Sequence, residues 1–363
     1  MTDNPADNKV FNEVSSLYKQ YFDYAINVRK WLEIPDDLPH REIGYGMLKK
    51  VDNRNMSFNT NGEYLAWVLK ESPFHLYKSL SYMEYPDVVG GAAKKGLIKR
   101  EVAFDIDTHK TEKCTHDDSW ICEECLGEAR NQVLILIEDF LFPDFGLSEK
   151  DLKIVFTGNR GYHIYLKPED TKKIGDTKLL EKIEKWEKNE RRYFIEYILG
   201  KNLNLRNMGS RWKNILIREF KKNKISTKKF EKTSDWKTEI DTRKDNVRRE
   251  IYETIGKVKS RLELDEKVMD DDIRLLRTIG SLHGYTGLMV KEITYSSLKS
   301  NQFDPLNHGV FSKFHKIMYN VNIKQEIDPL TLKGDTFDHK STEIPASYLL
   351  FLFGHGIDFE ILE

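Results

Sequence analysis

With only three cysteines in 363 residues, a secreted disulfide framework is excluded, since such frameworks use an even number spread along the chain. An iron–sulfur cluster held by four cysteines is excluded as well, because it needs one thiolate more than the protein owns. Excess charge is also missing: 58 basic residues against 59 acidic ones leave a net charge of −1. A protein that coats duplex nucleic acid is usually basic overall, so any nucleic-acid contact here has to be local. The opening M-T-D-N-P-A-D-N carries no signal-peptide pattern, and the longest apolar stretch, Ser347 to Phe353, falls far short of the ~20 residues of a membrane helix. Together these absences imply a soluble cytoplasmic protein with no membrane partner, in a reducing compartment that keeps thiols available to metal.

What is present is concentrated. All three cysteines fall in one short window, Cys114-x-His116 followed by Cys122-E-E-Cys125. Three thiolates and an imidazole make a closed tetrahedral Zn²⁺ site, which is structural because no position remains for water. His109 is the alternative to His116 as the nitrogen ligand. Redox chemistry at Cys122 and Cys125 competes with this reading, but no thioredoxin-like βαβ context surrounds them.

Just upstream, V-A-F-D-I-D ends in Asp105 and Asp107, spaced so that on a strand both project from one face while Phe104 and Ile106 point into a core. Two carboxylates on one face repel unless a cation sits between them, and Mg²⁺ in nucleotide enzymes is held by one or two carboxylates plus phosphate oxygens. A bare D-x-D is also how a solvated strand end reads. Next, K-I-V-F and Y-H-I-Y-L flank G-N-R-G, the pattern of a β-hairpin with Arg160 at a glycine-flanked tip and His163 on the outgoing strand. Arg offers a planar fork for phosphate oxygens, and glycine permits close backbone approach to a ligand. Finally, Leu264 to Val290 combines acids (Asp265, then Asp270, Asp271 and Asp272), the segment I-R-L-L-R, suited to a short helix or strand, and a glycine-lined loop G-S-L-H-G-Y-T-G carrying His283.

In this order, F-D-I-D, a Cys/His cluster, T-G-N-R-G-Y-H and an Asp followed by R-L-L-R and S-L-H-G-Y-T-G-L resemble the small catalytic subunit of DNA primases of the archaeal and eukaryotic type. The S-L-H-G form is closer to the archaeal branch. Arg41-Glu42 and Arg54-x-x-Ser57-Phe58 extend the resemblance toward the N-terminus. It implies that Asp105, Asp107 and Asp265 hold two catalytic Mg²⁺ or Mn²⁺ ions, with Asp271 the alternative third acid. It further implies that Thr157, Arg160, His163, Arg277, His283 and the strand arginine Arg54 contact the nucleotide. Two departures stand out: Tyr285 replaces the family's usual lysine, and Ile279-Gly280 replaces its usual proline.

The chain, 39% apolar and 12% aromatic, is long enough for one large or two modest domains. An N-terminal helix over about 8–32, strands around 41–58, a helix near 61–70 and a helix from Arg130 to Leu141 are expected around the F-D-I-D strand. From about 171 to 261 the pattern becomes long charged helices; between Lys201 and Arg261 bases outnumber acids roughly two to one, with Trp212 and Trp236 interspersed. The expected fold is α+β: a mixed-sheet primase catalytic core, residues 1–170 and 262–363, with a zinc knuckle at about 109–126 and a helical insertion at 171–261. The resemblance implies template-directed primer synthesis from nucleoside triphosphates, ribonucleotides with deoxynucleotides left open, on single-stranded DNA. It also implies a heterodimer with a large subunit bearing an iron–sulfur domain, and work at the nucleoid. Two other readings are a stand-alone primase-polymerase or repair polymerase, and a non-catalytic zinc-bearing DNA-binding protein.

Overall fold

The computed structural model describes residues 5–362 apart from 118, 170, 202 and 259–261, so the expected domain limits at 170 and 261 lie outside the described residues. Helix α1 (Pro5–Asp23) buries Val10, Val14, Leu17, Tyr18, Tyr21 and Phe22, the three-and-four spacing that places one stripe against a core. Strands β1 (Arg41–Gly46) and β2 (Asn53–Met56) follow. Helix α2 (Asn61–Glu71) starts at a reciprocal cap, in which Thr60 Oγ1 accepts from the Glu63 N–H and the Glu63 carboxylate accepts from the Thr60 N–H. Then come β3 (His75–Met83), α3 (Ala92–Lys95), β4 (Leu97–Arg100), β5 (Ala103–Asp107), α4 (Glu123–Ile135), β6 (Leu152–Phe156) and β7 (Gly161–Leu166). A small hairpin, β8 (Lys173–Ile174) and β9 (Thr177–Lys178), leads into helices α5 (Leu179–Glu184), α6 (Lys188–Leu199), α7 (Ser210–Lys222), α8 (Trp236–Asp241) and α9 (Asp245–Lys257). The chain returns through α10 (Lys267–Asp270), β10 (Leu275–Arg277) and β11 (Lys291–Ile293).

Two sheets carry the architecture. One runs β10-β3-β1-β2, with β4 also on β3; the other runs β11-β6-β7-β5. Every ladder of these two sheets, among the described residues, is antiparallel. The expectation of a mixed sheet is therefore corrected: neighbouring strands enter each sheet from opposite ends, and no crossover of the kind a parallel pair needs joins them. Residues 278–290 pass directly from β10 in the first sheet to β11 in the second. Gly280 in this passage has φ +78°, and a Cβ there would lie 2.2 Å from the Trp31 carbonyl oxygen, so glycine is required at this close approach.

The segment expected to form long helices forms short ones, none exceeding the 13 residues of α7 and α9. Trp212 and Trp236 are fully buried, packed with Leu216, Phe220, Phe230, Ile240 and Ile251. These helices therefore do not stand as solvated rods: their apolar faces join the main core, with Trp212 resting on Phe140.

Beneath the two sheets lies a buried charge network. Glu101, 2% exposed, faces Lys78 at 3.4 Å and Arg41 at 3.1 Å, and pairs with Lys167; Lys78 also holds Glu33 at 3.0 Å. Burial opposes ionisation of Glu101, yet Lys78, Arg41 and Lys167 hold its carboxyl below the usual range. A depressed carboxyl stabilises the fold above the ordinary carboxylate range and loses that contribution as the pH falls. Glu101→Gln should cost roughly 3–5 kcal/mol at neutral pH, because it strands buried cations. Urea unfolding checks this, and an unchanged midpoint would remove the network from the account of stability.

Candidate active site

On β5, Phe104 and Ile106 enter the core while Asp105 and Asp107 emerge on the opposite face. Pairing with β7 places Asp105 across from His163 and Asp107 across from Gly161. A Cβ on Gly161 would stand 2.4 Å from the Ile106 carbonyl oxygen, so the hairpin packs on the acidic strand only with glycine there. On the other edge of β5, Leu264 bridges to Ile106 and the Asp265 N–H donates to the Asp105 carbonyl at 3.1 Å. Asp265 thereby stands opposite Asp105, 160 residues away in sequence.

Three carboxylates now crowd one place. Burial, then the charges of Asp107 and Asp265, push the Asp105 carboxyl up to about 7. Arg274 supplies the counter-charge, with one guanidinium nitrogen 2.6 Å from Asp265 Oδ2 and 3.7 Å from Asp105 Oδ2. An acidic set this costly to keep ionised fits a divalent cation. The cleft beside Asp105 and Asp107 is lined by Asp271 and not by Asp265, which reaches the acids from the edge of β5 through Arg274; the Asp271 Oδ1 accepts from the Ile273 N–H at 3.0 Å, a turn within its own backbone.

The cleft, ≈ 610 Å³, runs between the sheets from Asp105 and Asp107 to His283, with Arg54, Thr157, His163, Arg274 and Arg277 in its walls. Arg277 on β10 lies opposite Tyr77 of β3, with its guanidinium 4.9 Å from the Tyr77 ring centroid and 3.2 Å from His75 Nδ1. Burial and the Arg277 charge hold His75 and His163 down at about 3 and His283 well below its ordinary value. These imidazoles are neutral, so they act as hydrogen-bonding groups and Arg277 carries the charge. His163 Nδ1 is buried with no hydrogen-bond partner. Arg54 donates to Glu42 at 2.7 Å and to the Ile273 carbonyl at 2.9 Å. Thr157 Oγ1 donates to the Gly161 carbonyl at 3.1 Å.

Arg160 sits differently from the open hairpin tip that the sequence suggests. It is 9% exposed and absent from the cleft wall, where its neighbour Asn159 stands instead. Its carbonyl accepts from Thr108 just beyond β5.

Sequence reasoning missed Arg274, Lys50, His75 and Tyr77. The alternation of His75 and Tyr77 on β3 was a weak signal of a shared face. Lys50, in the turn between β1 and β2, gave none; its amine lies 5.9 Å from the centroid of the Tyr285 ring and lines the cleft. A cation therefore stands beside the position where the lysine of the resembled family is replaced by tyrosine.

Close behind β5, Cys114, His116, Cys122 and Cys125 bring their ligand atoms within 4.8 Å of one another. Cys114 and Cys122 sulfurs are 3.5 Å apart, and His116 Nε2 is 3.1 Å from Cys122 Sγ. His116 Nδ1 faces the Asp117 carbonyl at 2.8 Å, a contact that leaves Nε2 for metal. His116 rather than His109 belongs to this group. The set fits a tetrahedral thiophilic ion such as zinc.

The sequence model of a family described as DNA primase small subunit matches residues 104–295. A DNA primase small subunit PriS from Methanococcus maripaludis strain C6 is 93% identical over 363 residues, all of both chains. One from Methanocaldococcus jannaschii is 53% identical over 97% of this chain and 99% of its own. One from Thermoplasma volcanium is 27% identical over 90% of this chain and 92% of its own.

Proposed function

The chain belongs to the DNA primase small-subunit family, catalytic subunits that are nucleotidyltransferases, and from that premise we propose that the cleft between the sheets is its centre of primer synthesis. The observation that carries this reading is the convergence of Asp105, Asp107 and Asp265, with Asp105 pushed up by its neighbours and Arg274 drawn between the acids. Asp265 is favoured over Asp271 because the Ile106–Leu264 bridge sets it directly across from Asp105 and its carboxylate shares Arg274 with Asp105.

The three carboxylates would hold two Mg²⁺ or Mn²⁺ ions. Such ions, when bound, lower the pKa of an attacking 3′-hydroxyl and neutralise a leaving pyrophosphate. The chain's own residues position the nucleotide. Arg277 and Arg54 offer charged forks to phosphate oxygens, and His163, His283 and Thr157 offer hydrogen bonds. Arg160 lies outside the cleft wall, and a part for it rests on the family resemblance alone, whereas Lys50 adds a charge at the Tyr285 end. Positioning of this kind suffices for a reaction whose catalysis is largely electrostatic.

Cys114, His116, Cys122 and Cys125 would hold one structural Zn²⁺. Residues 1–170 and 262–363 form the catalytic core in this reading, and 171–261 the helical insertion. The substrates are a single-stranded DNA template and ribonucleoside triphosphates, with deoxynucleotides a further class. The expected partner is a primase large subunit with an iron–sulfur domain, in a heterodimer working at the nucleoid in the cytoplasm. No helix of the described residues is long and apolar enough to cross a membrane.

Asp105→Ala, Asp107→Ala and Asp265→Ala should each lower nucleotide incorporation at least about a hundred-fold while Asp271→Ala retains most of it, read from primer extension with Mg²⁺ or Mn²⁺. Near-normal activity in Asp265→Ala would hand the third position to Asp271. Elemental analysis should find about one zinc per chain, and Cys125→Ser should lose metal and melt earlier, because a closed site contributes folding free energy. Metal-free protein with an unchanged melting curve would dismiss the zinc assignment. Arg277→Lys should raise the nucleotide KM by about ten-fold with template affinity unaltered, since lysine cannot reproduce the planar fork. Steady-state kinetics decide the point, and an unchanged KM would remove Arg277 from the clamp.

A further inference from the structure

Helix α1 ends in a π-helical turn, Tyr24–Val28, after which Lys30 takes φ +58°. The Trp31 N–H donates back to the Ala25 carbonyl at 2.8 Å. This reversal lays Trp31 beside Tyr24, with ring centroids 5.8 Å apart, and both rest on Phe311 at 6.4 and 5.3 Å. Trp31 remains 40% exposed, whereas Trp120, Trp212 and Trp236 are 5%, 0% and 0% exposed. An indole left in solvent loses the burial that makes tryptophan useful to a core.

Two exposed cations touch these rings and two more line a hollow beside them. Arg29 stands 5.4 Å from the Trp31 centroid and donates to the Tyr24 hydroxyl at 3.1 Å, and Lys313 stands 3.9 Å from the Tyr24 centroid. Lys30 and Lys291 line, with Trp31, an adjoining hollow of ≈ 400 Å³ floored by Ile279, Gly280 and Met289. Glu292 is at its rim. Among the described residues none of the four cations is in an ion pair, and the Lys291 amine donates to the His308 carbonyl at 3.5 Å. In a chain of net charge −1 this is a patch of exposed cations with aromatic faces in it, bordered by Glu292 and by Glu33 and Asp36, which share a neighbouring hollow with Lys30 and Trp31.

We propose that this surface binds single-stranded nucleic acid, with a base stacked on Trp31 and phosphates on Arg29, Lys30, Lys291 and Lys313. Aromatic platforms interleaved with cations are the sequence-tolerant means of holding an unpaired strand, since every base has a face to stack. The aromatic rings, Arg29 and Met289 would also suit a protein interface, but the three lysines, a residue depleted in interfaces, favour a polyanion. The hollow lies across the 278–290 passage from the cleft, so it would be a second contact for the strand rather than a continuation of the cleft wall. The proposal rests on the reading of the cleft as a site of primer synthesis, and its test separates the two.

Fluorescence anisotropy of a labelled oligothymidylate, titrated with the full chain at several salt concentrations, reads the proposal directly. Trp31→Ala should weaken binding by roughly five-fold or more, and Trp31→Phe should recover part of it. Arg29→Ala combined with Lys313→Ala changes only exposed ends and should lower the salt slope by about 0.7 per cation. Asp105→Ala should bind the oligonucleotide normally while incorporating nothing, so failure of the chemistry and failure of this surface are distinguishable. Wild-type affinity and salt slope in the Trp31→Ala and double-alanine proteins, with intact circular dichroism, would overturn the proposal. So would unchanged oligonucleotide affinity accompanied by loss of a co-purifying large subunit, which would assign the surface to a protein partner.

Discussion

Carboxylates brought together in a half-buried place repel one another, and much of the architecture around the cleft follows from holding Asp105, Asp107 and Asp265 there regardless. The β5–β7 register fixes the first two, the Ile106–Leu264 bridge brings the third alongside, and Arg274 crosses between the acids. A raised Asp105 carboxyl is the electrostatic record of that crowding. Toward His283, Arg277 and Lys50 give the cleft positive charge, while Arg54, paired with Glu42, stands beside Ile273 near the acids. The cleft is therefore polarised along its length, as a site for a polyanion approached by cations has to be.

The surrounding structure serves to keep this arrangement stiff. Cys122 caps α4 and Cys125 lies in its first turn, so the Cys/His cluster ties the loop leaving Asp107 to a helix that packs on β5 and β7. On the other face of β3 from the cleft, Glu101, Lys78, Arg41 and Glu33 form a buried charge network. Such a network has few alternative arrangements, because moving one member leaves the others charged and unpaired. The Trp31 surface adjoins the opposite side of the 278–290 passage, where Gly280 lets the chain after α1 press against it.

The elements legible in the sequence were those whose evidence is local. Alternation in V-A-F-D-I-D and Y-H-I-Y-L specified strands, the stripe of α1 specified a buried helix face, and the Cys/His spacing specified a metal-binding knuckle. The sheets' antiparallel pairing was not legible, since strand direction depends on where distant strands enter the sheet. The shortness of helices α5 to α9 was not legible either, because their lysines and arginines conceal an apolar face, Trp212 and Trp236 included, that joins the main core.

At the cleft the same division holds. Residue types and their order along the chain determined the family resemblance and named the acids, the hairpin and the glycine loop, because those motifs are short and each is read within one turn or strand. Only the tertiary structure decided that Arg274 balances the acids, that Lys50 stands beside Tyr285, that Arg160 is covered, and that Trp31 is left exposed among cations. Those outcomes depend on contacts between segments separated by up to hundreds of residues. Coulomb forces and burial act through space, and a sequence records only neighbours along the chain.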